Sequence, residues 1–276
     1  MRLGFLTAVA SVAATGALAE VSVERGAYLV EGPMGCGNCH TPQGPEGPVM
    51  DAALSGMMVE ETPAFTAIAA NITPASRVAE WSDEELGRAI REGIRPDGSV
   101  IGPPMPILLY RHISDDDLAS IVAYLRTVPA VENDPGTSTY NIPLPPAYGP
   151  PRSNVAAPAE GATVEWGSYV TALAHCMECH STPVQGAPDM AGHYGQGGME
   201  FHGPWGVSVA PPITTEALAG YDDAALEAMI RTGTRPDGSP MMPPMPYGYL
   251  AQMTGQDMAA VIAYLRSGPT APPPEM

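Results

Sequence analysis

Strongly apolar side chains are scarce in this sequence. Leu, Ile, Val and Phe together account for only 50 of the 276 residues and aromatic residues for 6%, whereas glycine and proline number 30 and 32. With a formal charge of −18, this composition approaches that of disordered chains, which cannot bury enough apolar surface to fold. Amphipathic segments farther along the chain argue against disorder. Something besides side chains is therefore expected to supply part of the core.

Basic residues are also few, at 12 against 30 acidic ones. A surface of this charge repels phosphate groups, which disfavours nucleic acids and anionic membranes as partners. The natural complement is a protein with a basic contact surface.

Long apolar runs are absent after the first residues. Residues 3–18 are apolar or small, Arg2 is the single charge before Glu20, and Ala17-Leu18-Ala19 forms a small-x-small cleavage site. This layout predicts a secretory signal peptide over residues 1–19, with a retained N-terminal anchor as the alternative. Cleavage would leave a formal charge of −19 and no transmembrane segment. We therefore expect an exported protein, in the periplasm or peripheral at the inner membrane.

The chain is a tandem duplication. Cys36-Gly-Asn-Cys39-His40 recurs 140 residues later as Cys176-Met-Glu-Cys179-His180. Further blocks recur at the same offset, among them Arg-Pro-Asp-Gly-Ser, Pro-Pro-Met-Pro and Ala-Tyr-Leu-Arg, which indicates two copies of one module. We place the first module at residues 20–130 and the second at 161–276, with a linker at 131–160. Eight prolines between residues 129 and 158 predict that the linker is extended.

Helical patterns predict an all-α fold with long glycine- and proline-rich loops. Ser114 and Asp117 predict a capping box before an apolar helix face, and Thr254 and Asp257 repeat it in the second copy. Ser82 begins another capped helix, and short helices are expected near residues 26–29 and 167–170. The one exception is a candidate short strand pair near residues 54–70. The apolar positions of the two last helices are Leu118, Ile121, Val122, Leu125, Met258, Val261, Ile262 and Leu265.

Each Cys-x-x-Cys-His motif matches the attachment pattern of c-type haem. Two cysteines on one helical turn can form thioethers with the vinyl groups of one haem, and the next histidine can bind the iron. A zinc ribbon needs cysteine pairs about 15–20 residues apart, whereas 136 residues separate Cys39 from Cys176. Disulfides leave the histidines without a role, and a thioredoxin-type motif needs a βαβ context that the sequence lacks. We therefore predict two covalent haem c groups on Cys36, Cys39, Cys176 and Cys179, with His40 and His180 on the irons. Haem would also supply the missing core.

The second axial ligand is expected to be a methionine in each module. Met105 and Met245 both lie 69 residues after the first cysteine of their module, in a Pro-Pro-Met-Pro loop that prolines stiffen. Such ligation raises the haem potential and leaves no open coordination site. The alternative is a second histidine, from among His112, His175, His193 and His202. The other methionines considered are expected to pack, namely Met50, Met57, Met58, Met190, Met199, Met241, Met242, Met253 and Met258.

Several segments carry a family resemblance: Gly26-Ala-Tyr-Leu29, Cys36 to Pro42, Asn71-Ile-Thr-Pro74, Trp81-Ser-Asp-Glu84, Arg95-Pro-Asp-Gly98, Met105-Pro106 and Ala123-Tyr-Leu-Arg126. Together they resemble class I c-type cytochromes, in particular the cytochrome c subunits that accept electrons from bacterial alcohol, aldehyde, sugar and sugar-acid dehydrogenases. The resemblance covers nearly all of the chain after residue 19, and the second copy matches more loosely. It implies that Asn71, Thr73 and Thr214 contact the haem propionates. For Trp81 and Tyr221, haem contact and plain packing remain open.

The function implied is that of a di-haem c-type cytochrome, an electron-transfer protein and not itself an enzyme. It would relay electrons from a dehydrogenase to a downstream cytochrome or terminal oxidase. The alternative is a di-haem enzyme of the peroxidase or thiosulfate-oxidising type, which needs one haem with an open or unusual ligand. Because attachment uses all four cysteines and both modules keep the methionine loop, electron transfer is the leading hypothesis.

Overall fold

Two copies of one helical framework follow each other along the chain. The computed structural model describes residues 21–272, so the predicted signal peptide and its cleavage site lie outside the described residues. Within that range, no helix combines the length and the apolar character that a membrane crossing requires. The helices of the first copy are α1 (Val23–Glu31), α2 (Cys36–His40), α3 (Asp83–Glu92), α4 (Ile107–Tyr110) and α5 (Asp115–Leu125). Those of the second copy are α6 (Val164–Leu173), α7 (Cys176–His180), α8 (Thr215–Leu218), α9 (Asp223–Thr232), α10 (Tyr247–Leu250) and α11 (Gly255–Arg266).

The first and last long helices of each copy cross at a glycine. A Cβ on Gly26 of α1 would lie 2.0 Å from the carbonyl oxygen of Ser120 in α5. A Cβ on Gly167 of α6 would lie 1.9 Å from the carbonyl oxygen of Ala260 in α11. Carbon and oxygen atoms that are not bonded stay about 3.3 Å apart or more, so a larger residue would force the helices apart. The crossing fixes the helix that precedes each cysteine pair against the last helix of the copy.

The helices and apolar faces predicted from the sequence are confirmed, including the helices before both cysteine pairs. The predicted apolar positions of α5 and α11 are all at most 9% exposed, and they belong to one buried core that extends through both copies. The capping box predicted at Ser114 is only half formed. Its Oγ accepts from the Asp117 N–H at 3.1 Å, but the Ser114 N–H donates to the hydroxyl of Tyr169, not to Asp117.

The prediction of an all-α fold is wrong, because the fold is mixed, with 36% helix and 13% strand. All strand pairs are antiparallel: β1 (Gln43–Gly44) with β2 (Gly47–Pro48), β3 (Met57–Glu61) with β4 (Phe65–Ala69), β4 with β5 (Thr139–Tyr140), β6 (Pro183–Val184) with β7 (Ala187–Pro188), and β8 (Glu200–Gly203) with β9 (Gly206–Val209).

Most of these strands escaped prediction because they are short and use unusual turns. The β3–β4 pair is the one expected near residues 54–70. Strands of two to five residues are too short for alternating polarity to show. The β6–β7 turn uses Gln185 and Gly186, with φ of 54° and 83°. This is the left-handed geometry that an Asn-Gly pair usually supplies in a hairpin.

The proline-rich segment at residues 131–160, here called the connector, lies against the first copy. Its strand β5 extends the β3–β4 hairpin into a three-stranded sheet. The Asn71 side chain donates to the Val131 carbonyl at 2.8 Å, and the Asp115 N–H at the start of α5 donates to the Val155 carbonyl at 2.9 Å. Val155 is buried. The connector therefore forms part of the structure of the first copy.

The two copies pack together through a reciprocal pair of contacts. Tyr169 of α6 donates to Asp117 Oδ2 at 2.6 Å, and its hydroxyl accepts from the Ser114 N–H at 3.1 Å. Tyr28 of α1 makes the matching contacts with Asp257 and with the N-cap backbone of α11. Each copy thus gives a tyrosine to the start of the other copy's last helix, so the interface has approximate twofold symmetry.

The carboxylates at this interface have a second partner each. The Arg25 guanidinium donates to Asp117 at 2.7 and 2.9 Å, and Trp166 Nε1 donates to Asp257 at 2.6 Å. The Arg25 guanidinium also lies 5.6 Å from the centre of the Trp166 ring, across the interface. These contacts satisfy the buried carboxylates and hold the two copies in one orientation.

Candidate functional site

Each Cys-x-x-Cys-His motif forms a short helix directly after the first long helix of its copy. The motif helix α2 follows Gly35, with φ of 53°, and α7 follows His175, with φ of 42°. These left-handed residues turn the chain so that the motif helix starts in a new direction. One helical turn then presents two cysteines and a histidine together.

The motif histidines are held by their Nδ1 atoms. His40 Nδ1 lies 2.7 Å from the Ala70 carbonyl oxygen, and His180 Nδ1 lies 2.7 Å from the Pro211 carbonyl oxygen. A carbonyl only accepts, so Nδ1 carries the proton and Nε2 keeps its lone pair. Burial lowers the pKa of both histidines, although the bond to the carbonyl opposes this effect. Both rings are therefore neutral near pH 7, with Nε2 able to bind a metal.

The four motif cysteines are free thiols in the structure. Burial raises the pKa of Cys36, Cys176 and Cys179 to about 12 and also raises that of Cys39. The described residues contain no cluster of three or more His, Cys, Asp or Glu side chains that could hold a metal ion.

This donor set fits covalent haem. In each copy it offers two buried, protonated thiols and one oriented, neutral imidazole, which are the groups needed for two thioethers and one iron ligand. The low content of strongly apolar residues fits as well, since haem would add apolar volume to each copy. The residues that would hold the two groups are Cys36, Cys39 and His40 in the first copy, and Cys176, Cys179 and His180 in the second.

The predicted methionine ligands occupy the same place in both copies. Met105 and Met245 precede α4 and α10, where the Ile107 N–H donates to the Met105 carbonyl at 2.8 Å and the Tyr247 N–H to the Met245 carbonyl at 3.0 Å. Both methionine side chains are half-buried and pack against the buried core, as do Cys36 and Cys176. The pairing of each methionine sulfur with the motif histidine on one iron stays a prediction.

The other histidines are engaged elsewhere. His193 bonds to Asp189 at 2.7 Å and is 47% exposed, and His202 lies 3.7 Å from Glu200 and is 71% exposed. His175 Nε2 lies 3.3 Å from a backbone carbonyl. His112, although buried, lies in the segment between α4 and α5. These placements leave little support for ligation by a second histidine.

The residues predicted to contact propionates have protein partners in the structure. Asn71 donates both amide hydrogens to connector carbonyls, those of Val131 and Asn133, and its Oδ1 accepts from the N–H and hydroxyl of Thr73. Thr214 caps α8 and accepts from a backbone N–H at 3.3 Å. The propionate contacts therefore stay predictions. Trp81 and Tyr221 pack against the buried core in equivalent positions.

The segments just before the two motif helices meet at the interface between the copies. His175, directly before the second motif, lies with Nε2 3.3 Å from the carbonyl oxygen of Met34, just before the first motif. The Tyr110 ring meets the His175 ring edge-on, with centroids 6.1 Å apart. A Cβ on Gly37, inside the first motif, would lie 2.4 Å from the hydroxyl of Tyr249 in the second copy.

This contact was not predicted from the sequence, although the repeat held a signal for it. His175 stands where the first copy has Gly35, a mismatch within an otherwise repeated segment. Such a mismatch can mark a residue whose role lies between the copies.

Comparison with known proteins agrees with the geometry. A family model described as cytochrome c matches residues 23–129 and again residues 164–269. The chain is 30% identical over 271 residues to the fructose dehydrogenase cytochrome subunit of Gluconobacter japonicus. The aligned region covers 90% of this chain and 53% of the relative. It is 34% identical over 113 residues to an alcohol dehydrogenase (quinone) cytochrome c subunit of Gluconacetobacter polyoxogenes, covering 40% of this chain and 23% of the relative.

A third relative is a diheme cytochrome c-type protein of Cereibacter sphaeroides, 36% identical over 113 residues, covering 40% of this chain and 36% of the relative. The chain thus spans about half the length of the fructose dehydrogenase subunit and about a quarter of the alcohol dehydrogenase subunit. The family model matches twice, once around each Cys-x-x-Cys-His motif. The chain therefore belongs to the cytochrome c family.

Proposed function

We propose that the protein is a periplasmic di-haem c-type cytochrome that carries electrons from a dehydrogenase to a downstream cytochrome or terminal oxidase. The observation that carries the proposal is the contact between the segments just before the two motif helices, where His175 Nε2 lies 3.3 Å from the Met34 carbonyl oxygen. Redox groups attached on both sides of this contact would be close enough to exchange electrons within one molecule. Two unrelated metal sites would need no such contact.

The residues of each copy have separate tasks in this function. Bound haem supplies one iron(III)/iron(II) couple in each copy. The two cysteines of each motif would hold the group through thioethers, which would fix it to the motif helix. The carbonyls of Ala70 and Pro211 orient the imidazoles of His40 and His180 through Nδ1. Met105 and Met245 are proposed to supply the sixth ligands.

The partners are proposed from the relatives and from charge. Two of the relatives are named as cytochrome subunits of fructose and alcohol dehydrogenases, which supports a dehydrogenase as the electron donor. The formal charge of −18 supports a basic contact surface on the partner. Six-coordinate irons would leave no open site for substrate chemistry, which favours electron transfer over the peroxidase or thiosulfate-oxidising alternative. The modules at 20–130 and 161–276 and the signal peptide at 1–19 complete the proposal.

Mass spectrometry of the exported protein tests the number of haems. We expect a chain that begins at Glu20 and carries two haem additions. A variant with Cys176→Ala and Cys179→Ala should carry one, and so should the matched variant with Cys36→Ala and Cys39→Ala. A wild-type mass with one haem, or with zinc, would contradict the proposal.

Spectroscopy of methionine variants tests the sixth ligands. The ferric thioether charge-transfer band at the red edge of the spectrum should fall by about half in Met105→Ala and in Met245→Ala, and vanish in the double variant. Met→His at either position should lower the potential of that haem alone, because thioether sulfur favours the ferrous state. Met242→Ala is the matched control, because Met242 is 45% exposed in the same loop region. A band that survives the double variant would assign the sixth ligands elsewhere.

A further inference from the structure

In the first copy, the connector covers one edge of the β3–β4 hairpin. Strand β5 pairs with β4, with Thr139 opposite Thr66 and Tyr140 opposite Phe65. The Ser138 side chain accepts from the Ile68 N–H at 2.9 Å and donates to the Ile68 carbonyl at 3.1 Å. The outer edge of β4 is therefore fully engaged by the connector.

The second copy has the same hairpin without this cover. Strand β9 corresponds to β4 with an offset of 141 residues, so Val207 stands for Thr66 and Val209 for Ile68. Among residues 21–272, β9 pairs with β8 alone. No hydrogen bond in that range joins the backbone of Val207 or Val209 to a residue outside the hairpin.

Apolar side chains surround the open edge of β9. Val207 and Val209 are 53% and 54% exposed, whereas Thr66 and Ile68 are half-buried under the connector. The Ser208 hydroxyl donates to the Pro243 carbonyl, which places exposed Met242 beside the strand. An apolar strand edge open to water invites pairing with another chain, and proteins normally cover or charge such edges.

We propose that the edge of β9 is a docking site that accepts an extended segment of the electron-transfer partner as an antiparallel third strand. The segment shares with the connector a hydroxyl side chain opposite Val209, but it carries a small side chain beside Met242. In the first copy the Tyr140 ring fills this place only because Gly102, the repeat equivalent of Met242, has no Cβ. It carries no acidic cluster, because the net charge of this chain is −18. The identity of the occupant rests on the proposed function, whereas the strand-accepting edge does not.

The path of the connector favours a partner over a second copy of this chain. After pairing with β4, it continues to the methionine loop of its copy, where the Tyr140 hydroxyl donates to the Pro103 carbonyl at 2.9 Å. A segment on β9 that followed the same path would reach the loop before Met245. An electron donor or acceptor has to come close to that loop, whereas a second copy gains nothing there.

A tethered strand tests whether the edge accepts one. Residues 270–276 of the di-haem protein are replaced by a copy of residues 130–150, because Pro269 is the repeat equivalent of Pro129. The copy carries the change Tyr140→Ala, because a tyrosine ring there would overlap Met242, the repeat equivalent of Gly102. Tethering raises the effective concentration to about millimolar, so weak pairing is detected. We expect amide exchange at residues 207–210 to slow at least tenfold relative to wild type. The matched control carries the same tether with residues 138–141 replaced by glycine and serine, and should exchange like wild type. Exchange that is unchanged by the tether would overturn the proposal.

Reduction kinetics test the occupant. The electron source is a cell-free extract of the producing bacterium supplied with alcohol or sugar. The tethered strand and Val209→Lys should both slow reduction at least tenfold. Met58→Lys is the matched control and should not slow it, because Met58 is similarly exposed, at 53%, but lies on β3 of the first copy. Reduction by ascorbate should stay unchanged in all variants, which shows that the haem sites are intact.

The other outcomes separate the two proposals. Unchanged reduction of Val209→Lys by an extract that reduces wild type would overturn the docking site and leave the proposed function standing. Failure of the extract to reduce wild type would contradict the proposed donor, and with it the occupant, without affecting the exchange result. A concentration-dependent wild-type dimer in sedimentation that Val209→Lys abolishes would make a second copy the occupant, and would also overturn the proposal.

Discussion

Tyr28 and Tyr169 make equivalent hydrogen bonds from opposite sides of the interface. Each sends its hydroxyl into the start of the other copy's last helix, where it meets a carboxylate and a backbone N–H. A bond to a charged acceptor is worth more than a neutral one, and losing it leaves a buried group without a partner. Two tyrosines thus carry much of the specificity of the interface.

Removing either hydroxyl should weaken the protein. We expect Tyr169→Phe to lower the free energy of unfolding by about 1.5–3 kcal/mol, and Tyr28→Phe by less, because Tyr169 is 3% exposed and Tyr28 is half-buried. Guanidinium unfolding of the di-haem protein measures both. Tyr124→Phe is the control, since its hydroxyl meets the exposed Glu31, and should cost less than about 0.5 kcal/mol. Equal losses in all three variants would show that the interface bonds have no special weight.

The Tyr28 contribution should also depend on pH. Burial, with help from Asp257, raises the pKa of Tyr28 from its usual 10.0 to about 12. The folded state then favours the neutral phenol, so this stabilisation is complete below pH 10 and is lost as the pH rises towards 12. The difference in unfolding free energy between wild type and Tyr28→Phe should therefore shrink from about pH 9 to about pH 11.5. A difference that grew over this range would show that the phenol is not the group involved.

Individual residues also show which hydrogen bonds the sequence predicts and which it does not. The cap at Ser114 could be predicted because it depends on neighbours in the chain. Asp117 has the spacing of a capping box, but its carboxylate bonds to Arg25 and Tyr169, which are distant in sequence. Local spacing cannot reveal these bonds, because Arg25 lies on another helix of the same copy and Tyr169 lies in the other copy.

At the scale of the elements, the helix crossings depend on glycine. Gly26→Ala and Gly167→Ala would place a methyl group about 2 Å from a carbonyl oxygen of the facing helix, and we expect a loss of about 3 kcal/mol or more. Gly255→Ala is the matched control, because nothing lies within 4 Å of its added Cβ. It should leave stability unchanged or raise it by up to about 1 kcal/mol. Thermal unfolding and haem content measure the effects, and a mild effect at Gly26 would mean that the crossing is loose.

The elements were predicted unevenly for a physical reason. Long helices with one buried face carry a periodic signal, and α5 and α11 appear where that signal is strongest. The small hairpins are held by backbone pairing and positive-φ turns, which leave little pattern in the side chains. The connector was predicted as a linker because prolines exclude helix, but proline content does not reveal the hydrogen bonds that attach it to the first copy.

At the scale of the whole molecule, charge governs encounters. The chain has a formal charge of −18, so a basic partner should be steered towards it. We expect the bimolecular electron-transfer rate with that partner to fall several-fold as ionic strength rises from about 0.01 to 0.15 M, where the Debye length shrinks from about 30 to 8 Å. Stopped-flow measurements check this, with uncharged reductant as the control. A flat salt dependence would indicate an apolar contact or a preformed complex.

The sequence predicts which residues would hold haem at the candidate site, but it does not predict how the two motifs are placed relative to each other. Cys36, Cys39 and His40 are identified by spacing alone, as are their counterparts, because attachment chemistry is local. The contact between Met34 and His175 depends on how the two copies pack, and no periodicity encodes it.

The approximately twofold interface lies within a single polypeptide, so its two sides can differ in sequence, unlike those of a homodimer. In a homodimer every mutation appears on both sides of the axis at once, so the halves cannot diverge. Here Gly35 in the first copy and His175 in the second are equivalent positions. Gly35 has no side chain, whereas the His175 side chain contacts the Met34 carbonyl of the other copy. Within one chain, the two halves can therefore differ at equivalent positions of the interface. The surroundings of one Cys-x-x-Cys-His motif can therefore change while those of the other stay the same, which two identical subunits could not achieve.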